Sequence, residues 1–480
     1  MSNIADGNNG TATISVSSNE IKRSTREQRQ FIESHSIEKH EDFTLGVVEF
    51  DDQGDLWSRN QVKQLETMIM QEAKGENIGG LQIVVFAHGW NHNASICDEN
   101  VVCFRELLRY FGKVELLRAS RPRIKYKGIS AEQYTPKRVI GVYLGWRGLS
   151  SHSPILNVGS FYSRKSAAHR VGQGGLVELL SRLEVLRDSL NESAAGTTRL
   201  IVIGHSFGGA AVYTAVSTLF HERLTQAIAR ARERTVDIVR GYGDLVILIN
   251  PAFEASLYSG IDALSRENVV YSPRQRAVLV TISSESDWAT KWAFWAGRML
   301  STLFQHTASH DQATALVTTL GKYTPFRTHK LVSSSTGGGW GDDVGWAKKI
   351  TNFLAITSGW IKEKCSYLAE WLVGVDCGCA HIDAETLLKI TKANISSDPV
   401  LEPKYHFADR TLNRDYGSGQ LMTVKRSIDP NFPFIVAEAA DQYVTSHNGI
   451  FNYEFLDFLT WFVTGMEFKS SGRFFDTTPN

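Results

Sequence analysis

The sequence predicts an α/β fold built on a doubly wound, mostly parallel sheet. Three observations predict it. Short apolar, β-branched runs recur along the chain and alternate with stretches of helical periodicity. One run, Leu200-Ile201-Val202-Ile203, passes through Gly204-His205-Ser206-Phe207-Gly208-Gly209 directly into a helical pattern of Ala210, Ala211, Val212, Ala215, Val216 and Leu219. Finally, 480 residues at 42 % apolar and 21 % charged are ordinary globular composition, ample for one large core plus a second module.

In chain order, segment 1–42 is polar and rich in Ser, Asn and Glu, so it reads as disordered, with no apolar core of signal-peptide type. Phe43 to Phe50 is the first strand, and a helix from Arg59 to Lys74 follows. Leu81 to Ala87 is a continuous apolar run and reads as a buried strand. Cys103 to Phe111 is helical, and Arg138 to Trp146 is the next strand. Tyr162 to Arg187 is helical with a break at Gly172 to Gly175; these glycines follow a helix rather than a strand, unlike a phosphate loop. After the Leu200 strand come strands at Leu245–Ile249, Ala277–Ser283 and Pro433–Ala437, then a helix from Tyr453 to Val463.

Gly204 and Gly208 flank Ser206 in a Gly-x-Ser-x-Gly turn. A side chain at either glycine would block so tight a turn. The turn raises the Ser206 hydroxyl above the sheet edge, and the helix starting there aims backbone N–H groups at the reacting carbon. A plain strand-to-helix turn with a serine N-cap uses the same residue types. The strand before and the helix after are the context that marks a nucleophile. The earlier strand ends in His88-Gly89-Trp90-Asn91-His92-Asn93. Gly89 lets the chain bend so that a backbone N–H faces the centre. The N–H groups of Trp90 and Phe207 are the expected oxyanion donors, groups whose loss typically costs ~3 kcal/mol in the transition state. His88 and His92 stand four apart, but that spacing shares a face only on a helix, and a strand-to-loop junction argues against zinc.

These residues resemble the α/β-hydrolase superfamily of serine hydrolases. Strand-His-Gly followed by strand-Gly-His-Ser-Phe-Gly-Gly is similar to its esterase and lipase branches. The resemblance covers most of residues 43 to 465 and implies a fold and a reaction type, not a substrate. It implies a triad in the order Ser, Asp or Glu, His. Ser206 is then the nucleophile and His205 its neighbour rather than the base. Asp287, on the loop after the Ala277 strand, is the expected acid. Glu285 on that loop, and Glu254 one strand earlier, are the alternatives; each carboxylate also reads as a solvated loop group or helix cap. His447, between the last strand and the last helix, is the expected base, while His329, His381 and His406 fall in an inserted region. His447 would remove the Ser206 proton, Ser206 would attack an acyl carbon, and Asp287 would hold the imidazole until water cleaves the acyl-enzyme. That chemistry needs no metal and no organic cofactor. The expected partner is a small-molecule ester or lipid. Phospholipase, amidase and acyltransferase activities are variants on the same triad, and a non-catalytic binding protein is the reading from another class.

The chain departs from the family pattern between Asp287 and His447, where a minimal member needs far fewer residues. Residues 288–430 open with Trp288, Trp292, Phe294, Trp295, Leu300, Leu303 and Phe304 at helical spacing, cross a Ser/Gly-rich run from Ser333 to Gly341, and resume at Trp346, Ile350, Phe353, Leu354, Trp360, Ile361, Leu368, Trp371 and Leu372. They read as a helical subdomain with its own core, or as a helical cap whose apolar face covers the serine and receives an acyl chain. The expected core is then 43–287 plus 431–480.

The 51 basic and 51 acidic residues cancel, which gives no argument for nucleic acid or an anionic membrane surface. Amphipathic segments without excess positive charge are a weak basis for peripheral lipid contact. No apolar run reaches the ~18 residues of a membrane span, so a cytoplasmic enzyme is expected, with leaderless export as the other route. Cys97, Cys103, Cys365, Cys377 and Cys379 are too few and odd in number for a disulfide framework. Cys377-Gly378-Cys379 has the form of a metal or strained disulfide pair, but no further Cys or His set completes a site.

Overall fold

The computed structural model describes residues 36–89, 92–95, 98–119, 125–126, 129–130, 134–146, 154–193, 197–232, 238–267, 271–272, 275–287, 306–333, 405–408, 411–416, 419–424, 428–429 and 431–470. In chain order they form β1 (Ile37–Lys39), β2 (Phe43–Glu49), α1 (Arg59–Glu72), β3 (Leu81–Ala87), α2 (Glu99–Ala119), β4 (Lys125–Tyr126), β5 (Ile129–Ser130) and β6 (Arg138–Gly145). Then follow α3 (Pro154–Gln173), α4 (Gly175–Ser193), β7 (Arg199–His205), α5 (Phe207–Arg232), β8 (Leu245–Ile249), α6 (Ser259–Ser265), β9 (Leu279–Ser284) and α7 (His310–Val317). Last come β10 (His329–Ser333), β11 (Tyr405–Ala408), β12 (Thr411–Tyr416), β13 (Gly419–Thr423), β14 (Phe434–Ala439) and α8 (Tyr453–Ser470).

Among the described residues one large mixed sheet runs in the order β1-β2-β6-β3-β7-β8-β9-β14-β10-β13-β12-β11. Every pairing from β2 to β10 is parallel. The pairings at the two ends, β1 with β2 and β10 through β11, are antiparallel. β2, β3, β7, β8 and β9 are buried at every residue. Parallel strands covered on both faces read as continuous apolar runs, which is why these were visible in the sequence. One core holds Leu65, Leu179, Leu183, Val212 and Val216 from α1, α4 and α5 against Ile83, Val85 and Val202 of the sheet. The other holds Phe104, Leu108, Phe458 and Phe462 from α2 and α8 against Val84, Ile201 and Ile247. Successive strand residues therefore feed opposite cores, as the pleat requires. The fold is of the α/β class, a mostly parallel sheet with helices on both faces. No described helix is long and apolar enough to cross a membrane.

Two expectations change. Residues 36–42 of the segment expected to be disordered are ordered. Glu38 explains it: its carboxylate accepts from Arg105 Nη2 at 2.6 Å and Nε at 2.8 Å, and Ile37 packs against the α1 core, so β1 is held to α2 by charge and to the sheet by hydrogen bonds. The insertion expected to be a mainly helical cap over 288–430 contributes β10, β11, β12 and β13 to the sheet. β10 seats against β14 through Leu331, fully buried on that strand, and takes over the edge that β14 would otherwise leave open. Its expected helices around Trp288–Phe304 and Trp346–Leu372, with Cys365, Cys377, Cys379 and His381, lie outside the described residues, as do residues 1–35 and Cys97.

Candidate functional site

The site gathers at the carboxyl ends of β3, β7, β8, β9 and β14. β7 ends at Gly204-His205, and Ser206 turns the chain at φ +54°. A non-glycine residue in that left-handed region stores roughly 1–2 kcal/mol, so its surroundings must hold it there. They do so through the backbone. Ser206 N–H donates to the Ile249 carbonyl at 3.0 Å, and the Ser206 carbonyl accepts the N–H groups of Ala252 at 3.0 Å and Ala210 at 3.2 Å. The last of these starts α5, and Phe207 is its first residue, fully buried at the positive end of the helix dipole. Gly208 sits where a Cβ would lie 2.2 Å from the Ala87 carbonyl oxygen, so only glycine lets α5 begin this close to β3.

His447 lies on the loop between β14 and α8. Its Nε2 is 2.7 Å from Ser206 Oγ, and its Nδ1 is 3.0 Å from Asp287 Oδ2. A carboxylate only accepts, so Nδ1 carries the proton and Nε2 is left to accept from the Ser206 hydroxyl. Asp287 is fully buried, Ser206 nearly so, and the His447 side chain is 21 % exposed. Solvent thus reaches the relay from the imidazole side. The acid loop is tied down twice more: Ser286 Oγ donates to the Thr445 carbonyl at 3.1 Å, and Lys322 Nζ donates to the carbonyls of Ser284 and Glu285.

The other candidate acids go elsewhere. Glu254 is paired with Lys165 of α3, both nearly buried, and Glu285 faces Lys330 at 3.7 Å in half-exposed surroundings. Of the three expected carboxylates, Asp287 is the one brought to His447. His329 lies in β10 with Nδ1 2.9 Å from Thr328 Oγ1, and His406 is in β11.

The loop after β3 supplies the opposite wall. At Gly89 a Cβ would come within 2.8 Å of Ser206 Cβ and 3.0 Å of His205 Nδ1, so the missing side chain lets the loop lie against the serine. Trp90, the other expected oxyanion donor, lies outside the described residues. His88 is fully buried and uses both ring nitrogens: Nδ1–H donates to the Gly89 carbonyl at 2.8 Å, and Nε2 accepts the Trp146 N–H at 3.2 Å. It also stacks on the Trp146 ring at 5.5 Å. Burial, opposed by the nearby Asp98 charge, pushes its pKa down to about 4, so it stays neutral and has no nitrogen left for a metal. His92 pairs with Asp98 at 3.1 Å; burial works against the cation there, but the carboxylate outweighs it and raises the His92 pKa. Asp98 also accepts the N–H groups of Asn93 and Asn100, which fixes the loop to the start of α2. No group of three metal-ligating side chains occurs among the described residues.

Sequence reasoning missed Asn250. It ends β8 at φ +45°, is fully buried, and its Nδ2 donates to the His447 carbonyl at 2.9 Å. The signal was present as Asn-Pro at a strand end, since asparagine tolerates the left-handed region better than other branched or bulky residues. Asp98 was missed as well, because a helix-start aspartate carries no mark of the histidine it will meet.

Geometrically, the arrangement can pass a proton from the Ser206 hydroxyl to an imidazole backed by a buried carboxylate. Compared with known proteins, the chain matches no family model, no curated protein and no solved structure.

Proposed function

We propose that the chain is a serine hydrolase of α/β-hydrolase type that cleaves carboxylic esters through Ser206, His447 and Asp287. The observation that carries the reading is the unbroken relay, Ser206 Oγ to His447 Nε2 at 2.7 Å and His447 Nδ1 to Asp287 at 3.0 Å, at the ends of parallel strands with the serine on a strained turn. Strain of this kind concentrates where a backbone is held for function. Ser206 attacks the acyl carbon as His447 takes its proton, and the imidazolium is stabilised by Asp287. The tetrahedral oxygen is received by N–H groups of the helix start at Phe207 and of the loop after Gly89, the latter expected from Trp90. His447 returns the proton to the leaving alcohol, then activates the water that frees the acid. A non-catalytic binding protein would not need all three roles filled.

The test is hydrolysis of p-nitrophenyl esters of graded chain length, with labelling by a fluorophosphonate, in wild type and Ser206→Ala. Activity and label that both vanish in the variant support the reading, and the chain-length optimum reports the depth of the acyl pocket. A folded wild type that neither labels nor turns over any ester would sink it.

A further inference from the structure

We propose that Asn250 is a positioning residue that, with His205, fixes the main chain of His447 so that its ring stays in line between Ser206 and Asp287. The inference rests on the serine-hydrolase reading and adds the device that holds the histidine loop.

The His447 carbonyl accepts two buried donors. His205 Nε2 lies at 2.8 Å and Asn250 Nδ2 at 2.9 Å, the latter also 3.3 Å from the Ser446 carbonyl. A carbonyl only accepts, so His205 carries a proton on Nε2. Its Nδ1 has no hydrogen-bond partner, and burial, helped by His447 nearby, holds the His205 pKa well below its ordinary value, which favours the neutral ring. The other end of Asn250 is committed too. Its Oδ1 accepts the Ser284 N–H at 2.9 Å, and its own N–H donates to the Ile282 carbonyl at 2.8 Å. One side chain therefore spans β8, the start of the acid loop and the histidine loop, beside the nucleophile turn. Asparagine suits the place for two reasons. It tolerates φ +45°, and its amide offers a donor and an acceptor on opposite sides, which no carboxylate or hydrocarbon of that shape can do.

Two variants separate the contacts. Asn250→Gly accepts the backbone angle and loses every side-chain bond. Asn250→Asp keeps the shape and the acceptor for Ser284, but loses the donor to His447. Both are compared with wild type in fluorophosphonate labelling rate, kcat and KM on a p-nitrophenyl ester. A near-attack geometry displaced by about 1 Å costs on the order of 100-fold in rate, so kcat and labelling should fall together by about that factor while KM stays within about twofold. The Asn250→Asp deficit should shrink as pH falls, since a protonated carboxyl can donate to the same carbonyl; a purely structural role would not give that trend. If the glycine variant fails to fold, the aspartate variant carries the test alone. Wild-type-like kcat in Asn250→Asp, within about threefold at alkaline pH, would overturn the positioning role. A wild type that takes no label would show instead that the underlying hydrolase reading has failed.

Discussion

His88→Gln should make stability less sensitive to acid. In the folded chain this imidazole is sealed beneath Trp146, and burial lowers its pKa to about 4. In the unfolded chain it titrates near the ordinary value of about 6.5. The pKa is depressed on folding, so the unfolded state binds a proton that the folded state refuses. Stability is then full above the unfolded pKa and is lost as pH falls from about 6.5 toward about 4. Between pH 7 and pH 5 this one group removes about 2 kcal/mol. Glutamine does not titrate, and its amide can still donate and accept beside the Gly89 carbonyl and the Trp146 N–H. Its lost stacking costs about the same at both pH values and cancels in the comparison. Urea unfolding followed by tryptophan fluorescence, at pH 7 and pH 5, gives the two differences. Wild type should lose about 2 kcal/mol more than the variant on acidification. Equal losses, within about 0.5 kcal/mol, would mean that His88 is hydrated or charged in the folded chain, and the account of the Gly89 wall would be wrong.

Three further outcomes are expected. Asp287→Asn should leave the fold intact but lower kcat by about 10⁴-fold, because an amide can present its N–H to Nδ1 and favour the wrong imidazole tautomer; ester turnover with purified protein measures it. Gly89→Ala should cut the fluorophosphonate labelling rate more than it cuts thermal stability, because the added methyl would meet Ser206 Cβ at 2.8 Å; a labelling rate equal to wild type would show that the loop does not lie there. Lys165→Met should destabilise, by up to about 3–5 kcal/mol, since it removes the cation paired with the buried Glu254 carboxylate, and pairing it with Glu254→Gln should recover part of that loss in a double-mutant cycle.

The inner strands were legible because each is buried on both faces and therefore apolar without interruption. The turn at Ser206 was legible from its context, a buried strand before and a helix after, and at Gly208 the close β3 carbonyl explains the glycine. The choice of Asp287 as the acid came from the family order, not from the residue types themselves. Asp287, Glu285 and Glu254 are all carboxylates at strand ends, and what separates them is which cation sits nearby; Lys165 is 89 positions from Glu254 in sequence. The added strands were hidden because they are short and largely polar, as in Thr-Leu-Asn-Arg-Asp-Tyr of β12, and depend on pairing rather than burial. Asn250 escaped because its work is done by an amide reaching a main-chain carbonyl nearly two hundred residues away, and no side-chain pattern records that.

β14 pairs with β9 through partners as distant as Leu279 and Phe434, and on its other side with β10. Closing so long a loop is entropically costly, and parallel pairing of distant segments is slow. The half-sheet from β2 to β9 can assemble from nearer neighbours, complete with the serine turn, while β9 still presents a bare edge. Such an intermediate would be prone to associate with its own kind, and it would hold Ser206 without a base. In a refolding experiment the return of fluorescence and the return of nucleophile labelling should therefore separate in time, and only the second would count molecules whose last strand has found its slot.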